Sequence, residues 1–579
     1  MMPPRMASRR TRPPRQRATG AAVKHGPPDS AFPPPNTAAW LARHGALVAV
    51  CVVLVLVAVV RLRVADLPLE RDEGEYAYAG QLILQGIPPY RLAYNMKFPG
   101  TYYAYSAILA LFGQTPWGIH VGLLVVNAAT ALVLFFLGRR LIGGFAAATA
   151  AVAFCALSLD VWIMGVFAHA THFVLLPALA GLLVLLRVME GKRALGFVAA
   201  GALIGVSVLM KQHAIVFLPL AVALVVWRDL RQPSSSVRAL ALRSALVLAG
   251  AALPFALLCA VLAAQGALGQ FWFWTFRYAS QYVSRVSLPV AWSLFTLGWK
   301  SVTTATLSIW LLAASGVVGL WVVPWSVKTR VVLIGLLVAS FLAVCPGFYF
   351  REHYFILLLP SAALFVGVAL VAIERLLGRV VSPTVARAIA LAVFAAAVVL
   401  YVVAEQPYLL SMTPRELSRA RNGGNPFVEA PEIGRYLREH TMPDDRIAVV
   451  GSEPEIYFYA NRKTATGYIY TYPLMEPQRY AARMQDEMIR EIDAAHPKYL
   501  VFVGIGVSLY LWPNPDRTML GWVERYVRAC YTLTGIADIY SMEMTAMRWD
   551  SDVAGYKPRS VNLIYTLRRT SDAPCTVAR

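Results

Sequence analysis

The chain has 579 residues, of which 58% are hydrophobic and only 15% charged, and its mean hydropathy is +0.56. A water-soluble fold has too little interior to hide that much apolar sequence, so a soluble globular class is excluded. The formal charge of +21 would suggest a nucleic-acid partner in a soluble protein. In a bilayer protein it reads as cytoplasmic Lys and Arg that set topology, and no nucleic acid is expected.

Three regions follow in chain order. Residues 1–43 are rich in Arg and Pro and poor in large apolar side chains, a composition that cannot offset its ordering entropy, and read as a disordered basic cytoplasmic tail. Residues 44–403 carry recurrent apolar runs of about 17–25 residues, the unit a bilayer requires. From 404 to 579 charge density rises and the runs stop, which predicts a soluble domain. The first span, near Gly45–Val60, enters from the cytoplasm. Basic turns at Arg139-Arg140, Arg187/Lys192/Arg193, Arg228/Arg231, Lys328/Arg330 and Arg375/Arg379 then mark the cytoplasmic side. The alternation gives about eleven spans and leaves the C-terminal domain outside, provided that Thr101–Phe112 is an interfacial helix, too short to cross.

The first outer loop, residues 61–116, is the informative stretch. It contains Arg71-Asp72-Glu73-Gly74-Glu75-Tyr76 and, further on, Lys97-Phe98-Pro99-Gly100. Carboxylates packed beside an apolar span are costly unless they face water or a polar site. On a helix Asp72 and Glu75 share a face while Glu73 splays away. Mutual repulsion would raise their proton affinity, as suits a general base taking a proton from a hydroxyl. Lys97 adds a cation in the same loop. The bland reading, a solvated loop with Asp72 or Glu73 capping a helix, stands beside this one.

Further along, His169-Ala170-Thr171-His172 offers two imidazoles at helical spacing. They suit hydrogen bonding to a polar substrate, or half of a divalent-metal site that the acidic loop would complete; a third ligand is not apparent in sequence. Lys211 interrupts two apolar runs at the outer face, where a cation either snorkels or binds an anion. Phe271–Tyr278 reads as an interfacial aromatic belt. Arg351 and His353 mark another outer turn, and a guanidinium is suited to phosphate oxygens.

In the soluble part, Arg446–Gly451 and Lys498–Gly504 read as buried strands, and the stretches near Pro431–His440 and Pro477–Ala495 as helices. Together they predict a small α/β domain. Tyr457, Tyr459, Asn461, Arg462 and Tyr468 suggest either a sugar-stacking surface or ordinary half-buried tyrosines. The domain is expected to shape access to the site without doing chemistry. Cys530 and Cys575 fall here and form a disulfide if the domain is outside; two free thiols are the equal alternative.

The Asp72-Glu73 pair after the first span, the Tyr76–Gly86 helix, Lys97-Phe98-Pro99-Gly100, Leu209–His213 and Tyr349–Phe355 give the chain a resemblance to the GT-C superfamily. The similarity is to the dolichyl-phosphate-mannose–protein mannosyltransferase-like group that includes lipid A aminoarabinose transferases. Phe98 departs from the Lys-Pro-Pro-like pattern of that group. The resemblance implies a helical GT-C-like membrane domain with a C-terminal α/β extracytoplasmic domain, in the bacterial inner membrane. It implies an inverting glycosyltransferase that moves a sugar from a polyprenyl-phosphate donor to a lipid, glycan or protein hydroxyl. Asp72 is then the candidate base, paired with Glu73 as catalytic residues. Lys97, Lys211 and Arg351 are candidates for the donor phosphate, and Glu75, Tyr76, His169, His172 and His353 for substrate. No cofactor is required by this reading, and a divalent metal is left open. The rival class is a transporter or flippase of lipid-linked glycans, which would favour internal repeats that are not apparent here.

Overall fold

The computed structural model describes residues 37–573, save 192, 233–234, 284–285 and 510–515, together with 575 and 577. Most of the expected basic tail, and Lys192, lie outside the described residues. The first helix, α1 (Thr37–Arg63), begins inside the stretch whose composition assigns it to the tail. The remaining elements of the first outer loop are α2 (Arg71–Leu84) and α3 (Gly100–Phe112). They are followed by α4 (Pro116–Ile142), α5 (Gly144–Leu159), α6 (Ala170–Val188) and α7 (Ala194–Met210).

The chain is a multi-pass membrane protein. Among the described residues eight helices are long and apolar enough to cross a bilayer. A ninth span is made if Leu288–Thr303 and Leu307–Val322, bent by 109° at their junction, count as one. The expected eleven is reached only if the short apolar helices α5 and α7 also cross. Helix packing uses small residues, as it must where no hydrophobic force acts between apolar surfaces. A Cβ on Gly201 or Gly205 of α7 would stand 2.1 or 2.3 Å from the carbonyl oxygens of Val247 and Ala251 in the helix Val237–Ala264. As expected, α3 is too short to span, and packs between α2 and α4.

The C-terminal domain is the expected small α/β layer. Strands β1 (Arg446–Val450), β2 (Lys463–Thr464), β3 (Tyr499–Gly504), β4 (Tyr531–Ile539), β5 (Thr545–Trp549) and β6 (Leu563–Arg569) form one sheet of order β2-β1-β3-β6-β4-β5. β1 pairs parallel with both β2 and β3, and the other pairings are antiparallel. The two predicted helices appear at Ala430–Glu439 and Ala481–Ala495. Cys530 and Cys575 form a disulfide beside the start of β4.

The sheet domain is welded to the first outer loop, and this positions the site. Tyr78 of α2 stacks on Tyr457 at 5.2 Å, and its hydroxyl accepts from the Thr464 amide. The Tyr459 hydroxyl accepts from the Leu69 amide, and the Tyr94 amide donates to the Gly467 carbonyl. Tyr457 and Tyr468 are buried, so they form a joint and not an open sugar-stacking surface.

Candidate active site

The acidic stretch becomes the first turn of α2. Glu70 is its N-cap and completes a capping box with Glu73, so both carboxylates are partly occupied by backbone amides. Helical spacing then sends the other two acids to one side, as the sequence predicts. Lys97 bridges them, donating to Asp72 Oδ1 at 2.8 Å and to Glu75 Oε2 at 2.6 Å. Its ammonium also lies 4.5 Å above the centre of the Tyr76 ring. Glu73 faces the other way, fully buried, where it meets His120 Nε2 at 3.0 Å and accepts from the Ala168 amide. That second bond fixes the backbone just before His169.

Phe98, the departure from the expected motif, has a packing reason. It is buried among Phe255, Phe271 and Phe276 at centroid distances of 5.8–5.9 Å, and so anchors the Lys97 loop. The side chains of the expected aromatic belt are therefore only partly at the protein surface. Phe271, Trp274 and Tyr278 are buried, while Trp272 and Phe276 are exposed.

Three further turns reach the same end of the bundle. His169 points Nδ1 at Asp72 Oδ2, 3.6 Å away, and Nε2 at Glu70 Oε1, 3.8 Å away. Its ring stacks on His353 at 4.2 Å and 5°. Lys211 follows α7 and lies 4.3 Å over the Tyr354 ring. Arg351 is exposed, 6.0 Å from the Tyr349 ring, and its neighbour Glu352 pairs with Arg421 at 3.7 Å. His172 does not join this group: it is buried on α6, with Nδ1 3.0 Å from Asn127 Oδ1.

The electrostatics separate the acids. Burial would raise the Asp72 carboxyl, but the Lys97 ammonium, with His169 and His353, outweighs it and holds the group well below the usual carboxylate range. The expectation that mutual repulsion raises its proton affinity fails here because Lys97 stands between the two carboxylates. Glu75 moves the other way, raised by full burial against the pull of Lys97. Glu70 is pushed up to about 7, chiefly by burial. Burial pushes the Lys211 ammonium down to about 7. An anion beside it would favour the charged form.

Asp72, His169 and His353 each offer one ligand atom, and these lie within 4.8 Å of one another. Among the described residues, neither ring nitrogen of buried His169 has a hydrogen-bond partner. One carboxylate and two imidazoles form a donor set that suits a divalent transition metal. Residues that sequence reasoning did not single out also face the acids. Tyr102 donates to Glu75 Oε1, and Tyr470 of the C-terminal domain approaches Glu75 Oε2 at 2.8 Å.

Residues 97–258 match the family described as dolichyl-phosphate-mannose-protein mannosyltransferase. A comparison with curated protein sequences finds no match. Solved structures of the same fold include ArnT from Cupriavidus metallidurans bound to undecaprenyl phosphate. It is 15% identical with a TM-score of 0.55, covering 92% of this chain and 100% of that one. The oligosaccharyltransferase of Archaeoglobus fulgidus, tethered to an acceptor peptide, is 13% identical with a TM-score of 0.53, covering 89% of this chain and 75% of its own. The same enzyme in complex with Zn and sulfate is 14% identical with a TM-score of 0.51, covering 86% and 72%.

Proposed function

We propose, for a chain with the fold of the ArnT-like GT-C glycosyltransferases, that it transfers a sugar from a polyprenyl-phosphate donor to an acceptor hydroxyl at the outer face of a bacterial inner membrane. The observation that carries this reading is the convergence of Asp72, Lys97, His169, Lys211 and His353 from four separate turns at one end of the helix bundle. A lone solvated loop would have no reason to gather them. The outer orientation is supported by the basic turns at the opposite helix ends and by the Cys530–Cys575 disulfide, which belongs in an oxidising compartment.

In this mechanism the donor phosphate lies against Lys97 and Lys211, with Arg351 at the rim, and the prenyl tail lies among the apolar helices. Asp72 takes the proton of the acceptor hydroxyl on Oδ2, the oxygen not held by Lys97. The acceptor oxygen forms its bond to the anomeric carbon as the carbon–phosphate oxygen bond breaks on the opposite face, so configuration inverts. The electron pair leaves on the phosphate, where the two ammonium groups stabilise it. The cations around Asp72 keep it ionised but also lower its proton affinity, so the acceptor proton moves to it only as the oxygen–carbon bond forms. Glu73 acts at one remove, by fixing the Ala168–His169 backbone. Tyr76 lies beneath Lys97 and sets its position. Asp72, His169 and His353 are the residues that would hold a divalent ion, which would supply positive charge to the site. His172 lines the polar interior behind the site.

The test is transfer of labelled sugar from polyprenyl-phosphate donors by membranes carrying wild type or Asp72→Asn. Loss of about 10²–10⁴-fold in the variant, at equal protein level, is expected for a general base. Normal transfer by the variant would remove Asp72 from the mechanism. Absence of transfer by wild type from every donor would bring transport of the lipid-linked glycan forward.

A further inference from the structure

In open α/β sheets ligands bind in the crevice beyond the carboxyl ends of parallel strands, at the point where strand order reverses. In this sheet that point lies between β1 and β3, since β1 is followed by β2 on one side and β3 on the other. The crevice holds a part of the protein itself. Beyond β1, the Ser452 carbonyl accepts from Arg71 Nε at 2.6 Å, and Glu453 Oε1 pairs with Arg71 at 3.1 Å. Beyond β3, Ser508 donates to Glu453 Oε2 at 2.6 Å and its hydroxyl accepts from the Ser452 amide at 3.0 Å. Arg71 is the first residue of α2, directly before Asp72.

The same crevice fixes Tyr470. The next residue, Thr471, is tied to both strand ends: its amide donates to the Gly451 carbonyl at 3.1 Å, and its hydroxyl donates to the Ser508 carbonyl at 3.0 Å. Tyr470 is thereby directed out of the sheet domain onto α2. Its buried hydroxyl lies 2.8 Å from Glu75 Oε2 and 3.0 Å from the Arg71 carbonyl. Glu75 Oε2 is also the oxygen that holds Lys97.

We propose that Tyr470 is a positioning residue of the transfer reaction, through which the C-terminal domain holds Glu75 and, through Glu75, the Lys97 ammonium at the donor phosphate. This rests on the glycosyl-transfer reading above and assigns the outer domain a direct part in the site. The hydroxyl gives a fully buried carboxylate a donor without adding charge. Glu75 can then hold Lys97 on its shared oxygen while Lys97 still reaches Asp72. Sheet domain and catalytic helix are thus one unit.

The test is a double-variant cycle in the purified full-length protein, with Tyr470→Phe, Glu75→Gln and the two combined. Tyr470→Phe keeps the ring and removes the hydroxyl. The expected result is a kcat reduced about 10- to 100-fold at a near-wild-type unfolding temperature. In the Glu75→Gln background the same change adds less than about twofold, because both act on one oxygen. Losses that multiply, or a Tyr470→Phe protein as active as wild type, overturn the proposal. If wild type transfers nothing, the functional reading fails separately. The cycle is then read on binding of undecaprenyl phosphate. A weaker, non-cumulative affinity supports the positioning role, and unchanged affinity in Tyr470→Phe overturns it.

Discussion

Lys97 holds Asp72 at 2.8 Å from the far end of the same loop, and with its second contact, to Glu75 at 2.6 Å, it neutralises a carboxylate that has no access to solvent. Removing one member of such a buried pair strands the other, which costs more than the pair contributes. Lys97→Met is therefore expected to destabilise the protein by about 3 kcal/mol, read as a lower unfolding temperature in detergent. Lys97→Met combined with Glu75→Gln should recover most of that stability, since the carboxylate then left without its cation, Asp72, is partly exposed and the fully buried one is neutral. On the proposed mechanism transfer should stay depressed by about 100-fold or more, because the donor phosphate would lose one of its cations. A double variant that regains transfer would make Lys97 a structural residue only.

Gly74 is set by a contact and not by backbone freedom. A Cβ there would lie 2.6 Å from the backbone nitrogen and the Cβ of Glu455, at the start of the helix Glu455–Ala460. Gly74→Ala must push α2 away from the sheet domain, at an expected cost of about 1–3 kcal/mol. Gly424→Ala, whose Cβ would meet nothing within 4 Å, should change stability by less than about 0.5 kcal/mol. Thermal unfolding of both variants checks the contrast. Equal stabilities would mean that the close approach of α2 to the sheet domain is not maintained.

What could be read in the sequence was whatever obeys local periodicity. The shared face of Asp72 and Glu75, the turning away of Glu73, the short α3, and strands β1 and β3 all follow from spacing within one element. The His169–His172 pair misled for a definite reason. His169 is the N-cap of α6, with extended backbone angles of −63° and 149°, so helical spacing does not carry its side chain to the side of His172. His172 instead lies within the bundle on Asn127, and the partner of His169 is His353, supplied by a turn far along the chain. Tyr102 and Tyr470 carried no signal, since a tyrosine in an aromatic-rich stretch reads as packing until the fold brings it to a carboxylate. Strands β4 and β6 were equally silent, because they pair across a sheet whose order does not follow the chain.

The disulfide connects orientation to stability. Cys530 is buried at the start of the β4–β6 pairing, and the Thr570 amide donates to its carbonyl at 3.0 Å. Cys530→Ser is expected to cost about 2–4 kcal/mol. In intact cells a membrane-impermeant maleimide should label this domain only after treatment with an impermeant reductant. Labelling that requires permeabilised cells would place the domain in the cytoplasm and overturn the proposed orientation.

A metal at the site would make unequal demands on the three histidines of this region. His169 and His353 stack within reach of Asp72, and both nitrogens of His169 lack a hydrogen-bond partner among the described residues. His172 already has one nitrogen at Asn127 and lies outside the cluster. Purified protein incubated with a divalent transition metal and then desalted should retain the ion. His169→Ala and His353→Ala should lose it, with affinity falling by at least about 10-fold, and His172→Ala should bind as wild type does. Metal content by elemental mass spectrometry reads this without reference to activity. If His172→Ala loses the ion and His353→Ala keeps it, the ligand set is wrong. If no variant differs from wild type, the Asp72–His169–His353 cluster is a hydrogen-bonding surface for substrate and not a metal centre.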